Sequence, residues 1–287
     1  MTWKAHAKIN LFLKVTGRLK NGFHRLDTVF QEIDLHDEII WEPAPEKTQE
    51  LSLQQEQIER LELRVLGAEL GSIESNLVYR AAKLFEEASK TILHGKLTLL
   101  KRIPHGGGLG GGSSDAACTL LNLNRFYNNP LSHEQLHHLA CKLGSDVPFF
   151  LLGSTCRGKG RGEILEKIRL PRTLSTKGFL FLPPSKADTV EVYNAYSKDR
   201  PSTWTSDAVC STNSQNDIQW GFNDLTVPAC SIYQDMDHMD QVFRQHLAGE
   251  QLFMSGSGST WVWLTEKEDA PVLPFEFQVK VLPFHFF

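Results

Sequence analysis

The sequence predicts an α+β protein in two parts, and three observations carry that prediction. The chain opens with strand-like alternation: Ile9, Leu11, Leu13 and Val15 fall on one side, Lys8, Asn10, Phe12 and Lys14 on the other. Helical and strand patterns then follow in mixed runs rather than in regular strand–helix–strand units. A composition shift comes after Leu170, with Pro171, Pro183-Pro184 and a polar stretch over 197–216. It sets a boundary between residues 1–170 and 171–287.

The first strand covers residues 5–15 and is broken by Gly17-Arg18-Leu19-Lys20-Asn21-Gly22. Val29–Leu35 and Glu38–Trp41 read as two strands paired around a polar turn at His36-Asp37. The glutamine- and glutamate-rich stretch 43–71 yields no element. A helix over Asn76–Ala88 places Leu77, Ala81, Leu84 and Ala88 on one face, with Ser75 or Asn76 as its cap. Lys96–Ile103 is a strand ending at Pro104. The next helix runs from about Ser114 to Tyr127, with Ala116, Leu120, Leu123 and Tyr127 inward. Another follows Ser132, whose Ser-x-x-Gln spacing to Gln135 is that of a capping box, and Gly144 ends it. The second part holds a strand at Phe179–Leu182 and helices at Thr189–Tyr196 and within Ile232–Leu247. Two more strands follow at Leu252–Ser255 and Thr260–Leu264.

Composition excludes several functional classes. A net charge of −4 and a pI near 6.3 give no general drive toward nucleic acid or an anionic membrane, so neither is expected as a partner. The five cysteines are widely spaced without a Cys-x-x-Cys pair, which points to buried thiols in a reducing compartment rather than to zinc. With no apolar signal segment at the N-terminus and no run long enough to span a bilayer, a cytoplasmic location is expected.

The most informative segment is Gly106-Gly107-Gly108-Leu109-Gly110-Gly111-Gly112, followed at once by Ser113-Ser114-Asp115-Ala116-Ala117. Such density of glycine costs chain entropy and is retained where a side chain would obstruct something. Backbone N–H groups without Cβ atoms can converge on an anion, and the following helix points its positive end to the same place. A flexible linker, a dinucleotide fingerprint and a nucleoside triphosphate loop compete as explanations. Linkers are rarely bracketed by a strand and an amphipathic helix. No strand–helix–strand unit with a suitably spaced acid follows to support the dinucleotide fingerprint. A second glycine stretch, Gly153-Ser154-Thr155-Cys156-Arg157-Gly158-Lys159, imitates a Walker loop, but Gly160 stands where the metal-binding hydroxyl belongs. It reads as a hairpin.

Pro104-His105 and the glycine run through Ala117 resemble the nucleotide loop of the GHMP kinases. Further stretches match in order along the chain: Ala7-Lys8-Ile9-Asn10-Leu11, Asn21-Gly22-Phe23-His24, Ser75-Asn76-Leu77-Val78, Gly144-Ser145-Asp146-Val147-Pro148 and Ser255-Gly256-Ser257-Gly258-Ser259-Thr260. The resemblance implies a two-domain GHMP kinase fold of the α+β class, with an N-terminal ribosomal protein S5 domain 2-like part and a C-terminal ferredoxin-like α/β sandwich. It implies transfer of the ATP γ-phosphate, with Mg²⁺, to the 2-hydroxyl of 4-diphosphocytidyl-2-C-methyl-D-erythritol in the non-mevalonate isoprenoid pathway. Mevalonate- or homoserine-type kinases and a non-catalytic nucleotide-binding protein are the alternatives. The Phe23-His24 pair disfavours the first, and retention of Lys8 with Asp146 disfavours the second. A monomer or weak homodimer is expected.

By the same resemblance, Pro104, Gly106, Gly107, Gly108, Leu109, Gly110, Gly111 and Gly112 hold the nucleotide phosphates. Ser113 and Ser114 add hydroxyls to a phosphate or to Mg²⁺, one of the two also capping the helix. Asn76 reaches the adenine or ribose. Asp146 matches the catalytic position, as a base or as an orienting group for the hydroxyl, and Lys8 beside it stabilises the attacking oxygen. Asn10, Phe23, His24 and Tyr193 belong to the cytidylyl pocket, with an aromatic stack on the base. Gly256, Ser257 and Gly258 close over the substrate.

Overall fold

The computed structural model describes residues 1–44, 61–69, 71–198 and 218–287. The elements in chain order begin with β1 (Thr2–Arg18), β2 (His24–Pro43), β3 (Glu62–Leu66), α1 (Leu77–Ser89), β4 (Gly95–Leu100), α2 (Gly111–Phe126), α3 (His133–Leu143) and α4 (Val147–Leu152). They continue with β5 (Thr155–Gly160), β6 (Ile164–Lys167), β7 (Lys177–Leu182), α5 (Thr189–Lys198), α6 (Thr226–Ile232), α7 (Gln234–His246), β8 (Gln251–Met254), β9 (Trp261–Leu264) and β10 (Lys280–His285). Most of the glutamine-rich stretch and of the polar stretch, including Cys210, lies outside the described residues.

Two compact units interleave along the chain. The first comprises Met1–His6, His36–Ile103 and Gly111–Leu152; the second comprises Ala7–Leu35, Pro104–Gly110 and Gly153–Phe287. β1 and β2, which pair with each other, run through both.

In the first unit, β4 pairs antiparallel with the C-terminal half of β2 and parallel with β3, with α1 in the β3–β4 crossover. Helices α1 to α4 pack on one another. Asn76 caps α1, its side-chain oxygen accepting the Val78 N–H at 2.9 Å. The expected α1 face is displaced by one residue: Val78, Ala81, Ala82 and Phe85 are buried, whereas Leu77 and Leu84 are half-buried and Ala88 is exposed. Phe85 wins the interior because its larger ring packs against Tyr127. The capping box on α3 is present, with both Ser132–Gln135 bonds made.

One expectation is overturned outright. No turn occurs at His36-Asp37; β2 passes straight through it as a single 20-residue strand. Asp37 is fully buried, and the Lys101 ammonium and the Arg102 and Ile103 N–H groups satisfy its carboxylate. A polar residue at a strand centre is tolerated when every acceptor finds a donor.

In the second unit, the N-terminal half of β2 pairs with β5, and β5 turns back into β6 as the hairpin expected for the Walker look-alike. A four-stranded antiparallel sheet runs β10-β7-β9-β8. Its core gathers Phe181, Phe243, Trp261 and Trp263 with Met236, Met239 and Met254, together with Leu13 and Val15 from β1. α6 and β10 extend the expected elements. No helix among the described residues is long and apolar enough to cross a membrane.

Candidate active site

The glycine loop earns its composition through its backbone. Gly106, Gly108 and Gly110 sit at φ of +76°, +72° and +69°, so every second residue occupies the left-handed region that side chains disfavour. Alternation of this kind turns successive N–H groups toward one side, the geometry of an anion-binding nest. The carbonyls are taken up on the other side. The Gly107 carbonyl accepts the Thr260 N–H (3.3 Å), that of Gly108 accepts the Ser255 hydroxyl (3.1 Å), and that of Leu109 accepts the Lys8 N–H (3.0 Å). Two segments distant in sequence from the loop, β1 at Lys8 and the turn 255–260, thus fix the peptide orientation. Space demands glycine as well: a Cβ on Gly107 would lie 2.7 Å from the Thr260 hydroxyl, and one on Gly108 would lie 2.9 Å from the Gly258 carbonyl oxygen.

Lys8 and Asn10 join the same cluster in the second unit. Both are buried, and the Lys8 ammonium donates to the Asn10 side-chain oxygen at 2.6 Å. Asn10 in turn donates to the Thr28 hydroxyl (2.8 Å), which donates to the Phe12 carbonyl (2.6 Å). The Asn10 N–H bonds the Ser255 hydroxyl. A Cβ on Gly256 would approach the Asn10 oxygen to 3.3 Å and the Lys8 ammonium to 3.5 Å. Ser257 is buried, and its hydroxyl bonds that of Thr189. Thr28 and Thr189 carry no sequence signal of their own, since their roles arise from pairing across many residues, whereas Ser255 and Thr260 lie in the glycine-serine stretch 255–260.

The expected aromatic residues also meet. The His24 ring stacks on Tyr193 with centroids 4.8 Å apart at 26°. The Ser197 hydroxyl bonds His24 Nε2 at 2.8 Å and donates to the Tyr193 carbonyl at 3.0 Å, one helical turn back. Burial, aided by the Arg18 charge, lowers the His24 pKa and favours the neutral imidazole. Phe23 is exposed beside it, with the Arg161 guanidinium 5.1 Å from its ring centre.

Apart from Pro104, the remaining expected residues lie in the first unit. Asp146 is half-buried between the end of α3 and the start of α4. Asn76 is buried at its capping position. Pro104 leads into the loop within the second unit. α2 begins at Gly111 rather than at Ser114, so Ser113 and Ser114 fall inside its first turn and neither is the cap. Glycine at 111 and 112 gives the start of the helix room to pack: a Cβ would meet Ile103 at 3.0 Å and Leu77 at 3.4 Å, respectively.

Under this helix the sequence reading missed a buried charge cluster. Lys101 bonds Asp37 and also Asp115, the latter at 2.8 Å. Burial works against the Lys101 charge, but Asp115 and Asp37 outweigh it and raise its pKa. Two carboxylates share one ammonium, and Asp115 bears the excess. Burial raises its pKa most, Lys101 pulls it down, Asp37 raises it further, and the result is about 7.

Residues 76–154 match the family model described as GHMP kinases N terminal domain. A Polynucleobacter asymbioticus protein named 4-diphosphocytidyl-2-C-methyl-D-erythritol kinase is 35% identical over 262 residues, covering 91% of this chain and 82% of that protein. Its namesake from Pelotomaculum thermopropionicum is 40% identical over 196 residues, and that match spans 68% of this chain but only 63% of the relative. A solved structure of 4-(cytidine 5'-diphospho)-2C-methyl-D-erythritol kinase superposes with a TM-score of 0.69 at 34% identity, covering 93% of this chain and 90% of that one. The chain belongs to the GHMP kinase family, in its 4-diphosphocytidyl-2-C-methyl-D-erythritol kinase branch.

Proposed function

We propose that this chain is an ATP-dependent kinase that phosphorylates the 2-hydroxyl of 4-diphosphocytidyl-2-C-methyl-D-erythritol, a step of the non-mevalonate route to isoprenoid precursors. The observation that carries this reading is the glycine nest, whose carbonyls are turned inward by Lys8, Ser255 and Thr260. The nest and the first turn of α2 receive the phosphates of ATP. Lys8, held in orientation by Asn10, stabilises the attacking oxygen. Asp146 accepts the hydroxyl proton or orients the hydroxyl; a loose transition state requires little of a base. Phe23, His24 and Tyr193 bind the cytosine, the neutral His24 ring offering Nδ1 as an acceptor to the base edge while Nε2 is held by Ser197. Gly256, Ser257 and Gly258 border the acceptor, and Asn76 lies toward the nucleoside of ATP.

Mg²⁺ belongs to this reading. Among the described residues no group of three or more His, Cys, Asp or Glu could enclose a metal. Mg²⁺ suits such a site, because it is commonly held by substrate phosphates, water and one or two protein oxygens. The Ser113 and Ser114 hydroxyls are the protein oxygens we assign to it. When bound it neutralises charge on the transferring phosphoryl group. We further propose that residues 1–170 and 171–287 are the two domains of the fold. The protein acts in the cytoplasm as a monomer or weak homodimer, without a nucleic acid or membrane partner.

The test is ADP release from ATP with the cytidylyl-methylerythritol substrate, run beside mevalonate and homoserine. Turnover of the first alone is expected, and turnover of either other substrate in its place would overturn the specificity. In the same assay Asp146→Asn is expected to lose most of kcat while its unfolding midpoint is kept. Near-wild-type kcat would remove Asp146 from the mechanism.

A further inference from the structure

Lys186 is exposed, in the segment between β7 and α5, and no motif singles it out. Its stem nevertheless lies along the glycine loop. A Cβ on Gly106 would come within 3.1, 3.4 and 3.5 Å of its Cβ, Cγ and Cδ, so three successive carbons follow the loop backbone. Packing of a lysine stem on a surface directs the ammonium while leaving it hydrated. Here only Cε and Nζ extend past the packed portion.

The segment that carries Lys186 is fixed on both sides. The Ser185 N–H donates to the Asp235 carboxylate (2.8 Å), and the Asp188 N–H donates to the Tyr233 hydroxyl (2.8 Å). Ala187 is buried in the core between them, and the Thr189 hydroxyl bonds Ser257. Lys186 forms no ion pair or side-chain hydrogen bond among the described residues. A cation set on a segment held at both ends, packed along an anion-binding nest and without a counter-ion among the described residues, is suited to a ligand that brings the negative charge.

We infer that Lys186 is a further substrate-binding residue, its ammonium pairing with a phosphate oxyanion at the mouth of the glycine loop. This rests on the kinase reading above. Two bound molecules would carry such an oxyanion there, the triphosphate of ATP and the diphosphate of the cytidylyl substrate.

The experiment compares Lys186→Met, which keeps the stem on Gly106 and removes the charge, with Lys186→Arg, which restores it. A charge-assisted contact of this kind is expected to raise one KM by about 5- to 20-fold in Lys186→Met, with kcat less affected and the unfolding midpoint unchanged. A rise in KM for ATP assigns the contact to the donor, a rise for the cytidylyl substrate assigns it to the acceptor, and Lys186→Arg recovers most of either. Added KCl should weaken wild-type binding more than that of Lys186→Met. Calorimetric titration with ATP and with CDP repeats the comparison without turnover, so a wrong acceptor assignment cannot masquerade as failure of the contact. If both KM values and both binding constants stay within about twofold of wild type, against the tenfold that a 1.4 kcal/mol contact would give, Lys186 has no such role.

Discussion

Three buried charges in the first unit, Asp37, Lys101 and Asp115, hold one more negative than positive charge when all are ionised. Asp115 titrates at about 7 when folded, against an ordinary value of 3.8. Between those values the folded chain binds the extra proton, so stability from this group falls as pH rises through the window and levels off above it. Asp115→Asn removes the titration while keeping the shape. We expect the wild-type unfolding midpoint, taken relative to the variant at pH 5, 6, 7 and 8, to decline with pH. Subtracting the variant cancels groups common to both proteins, and a constant difference would refute the assignment. At this scale the sequence was half legible. Lys8, Asn10 and His24 sit in short motifs with local spacing. Asp37 and Lys101 lie 64 residues apart, so nothing near either announced the other. Asp37 beside His36 therefore looked like a turn.

Among the elements, the glycine loop makes the sharpest quantitative claim. Gly108→Ala imposes two costs, a left-handed φ of about 1–2 kcal/mol and a Cβ driven into backbone oxygens of Ser255 and Gly258 that cannot swing aside. Gly22→Ala is the comparison, since φ there is +87° but nothing lies within 4 Å of the added carbon. We expect Gly108→Ala to lower the unfolding midpoint more than Gly22→Ala and to raise KM for ATP at least about tenfold, as loss of a well-made anion contact would. Equal midpoints with unchanged KM would mean the loop tolerates side chains. Local signals also decided which elements were legible. The α3 capping box and the β5–β6 hairpin are each written within a few residues. The α1 face and the start of α2 depend instead on which side chain reaches the interior, Phe85 in one case and the missing Cβ atoms of Gly111 and Gly112 in the other.

For the whole molecule, the composition shift near residue 170 coincides with a change of sheet. The strands through Lys167 belong to one sheet, and those from Lys177 onward belong to the other. Contacts group the chain differently, because the second unit draws in Ala7–Leu35 and Pro104–Gly110. No local pattern could reveal that, since β1 is a uniform strand along its length. The consequence can be tested with residues 171–287 expressed alone. That piece loses Leu13 and Val15 from its core, each worth about 1.5–3 kcal/mol of burial. It also leaves the 221–224 segment without its β1 partners. The Gly221 N–H to Leu11 carbonyl (2.8 Å), the Leu13 N–H to Phe222 carbonyl (2.9 Å), the Asp224 N–H to Leu13 carbonyl (3.0 Å) and the Val15 N–H to Asp224 carboxylate (2.7 Å) would all be missing. The apolar loss alone, about 3–6 kcal/mol, is comparable with the 5–15 kcal/mol that hold an ordinary domain together. We therefore expect the fragment to show no cooperative thermal transition and little near-ultraviolet circular dichroism, although the full chain shows both. A cooperative transition in the isolated fragment would instead make residues 171–287 an autonomous folding domain, with the β1 contacts an addition to its core.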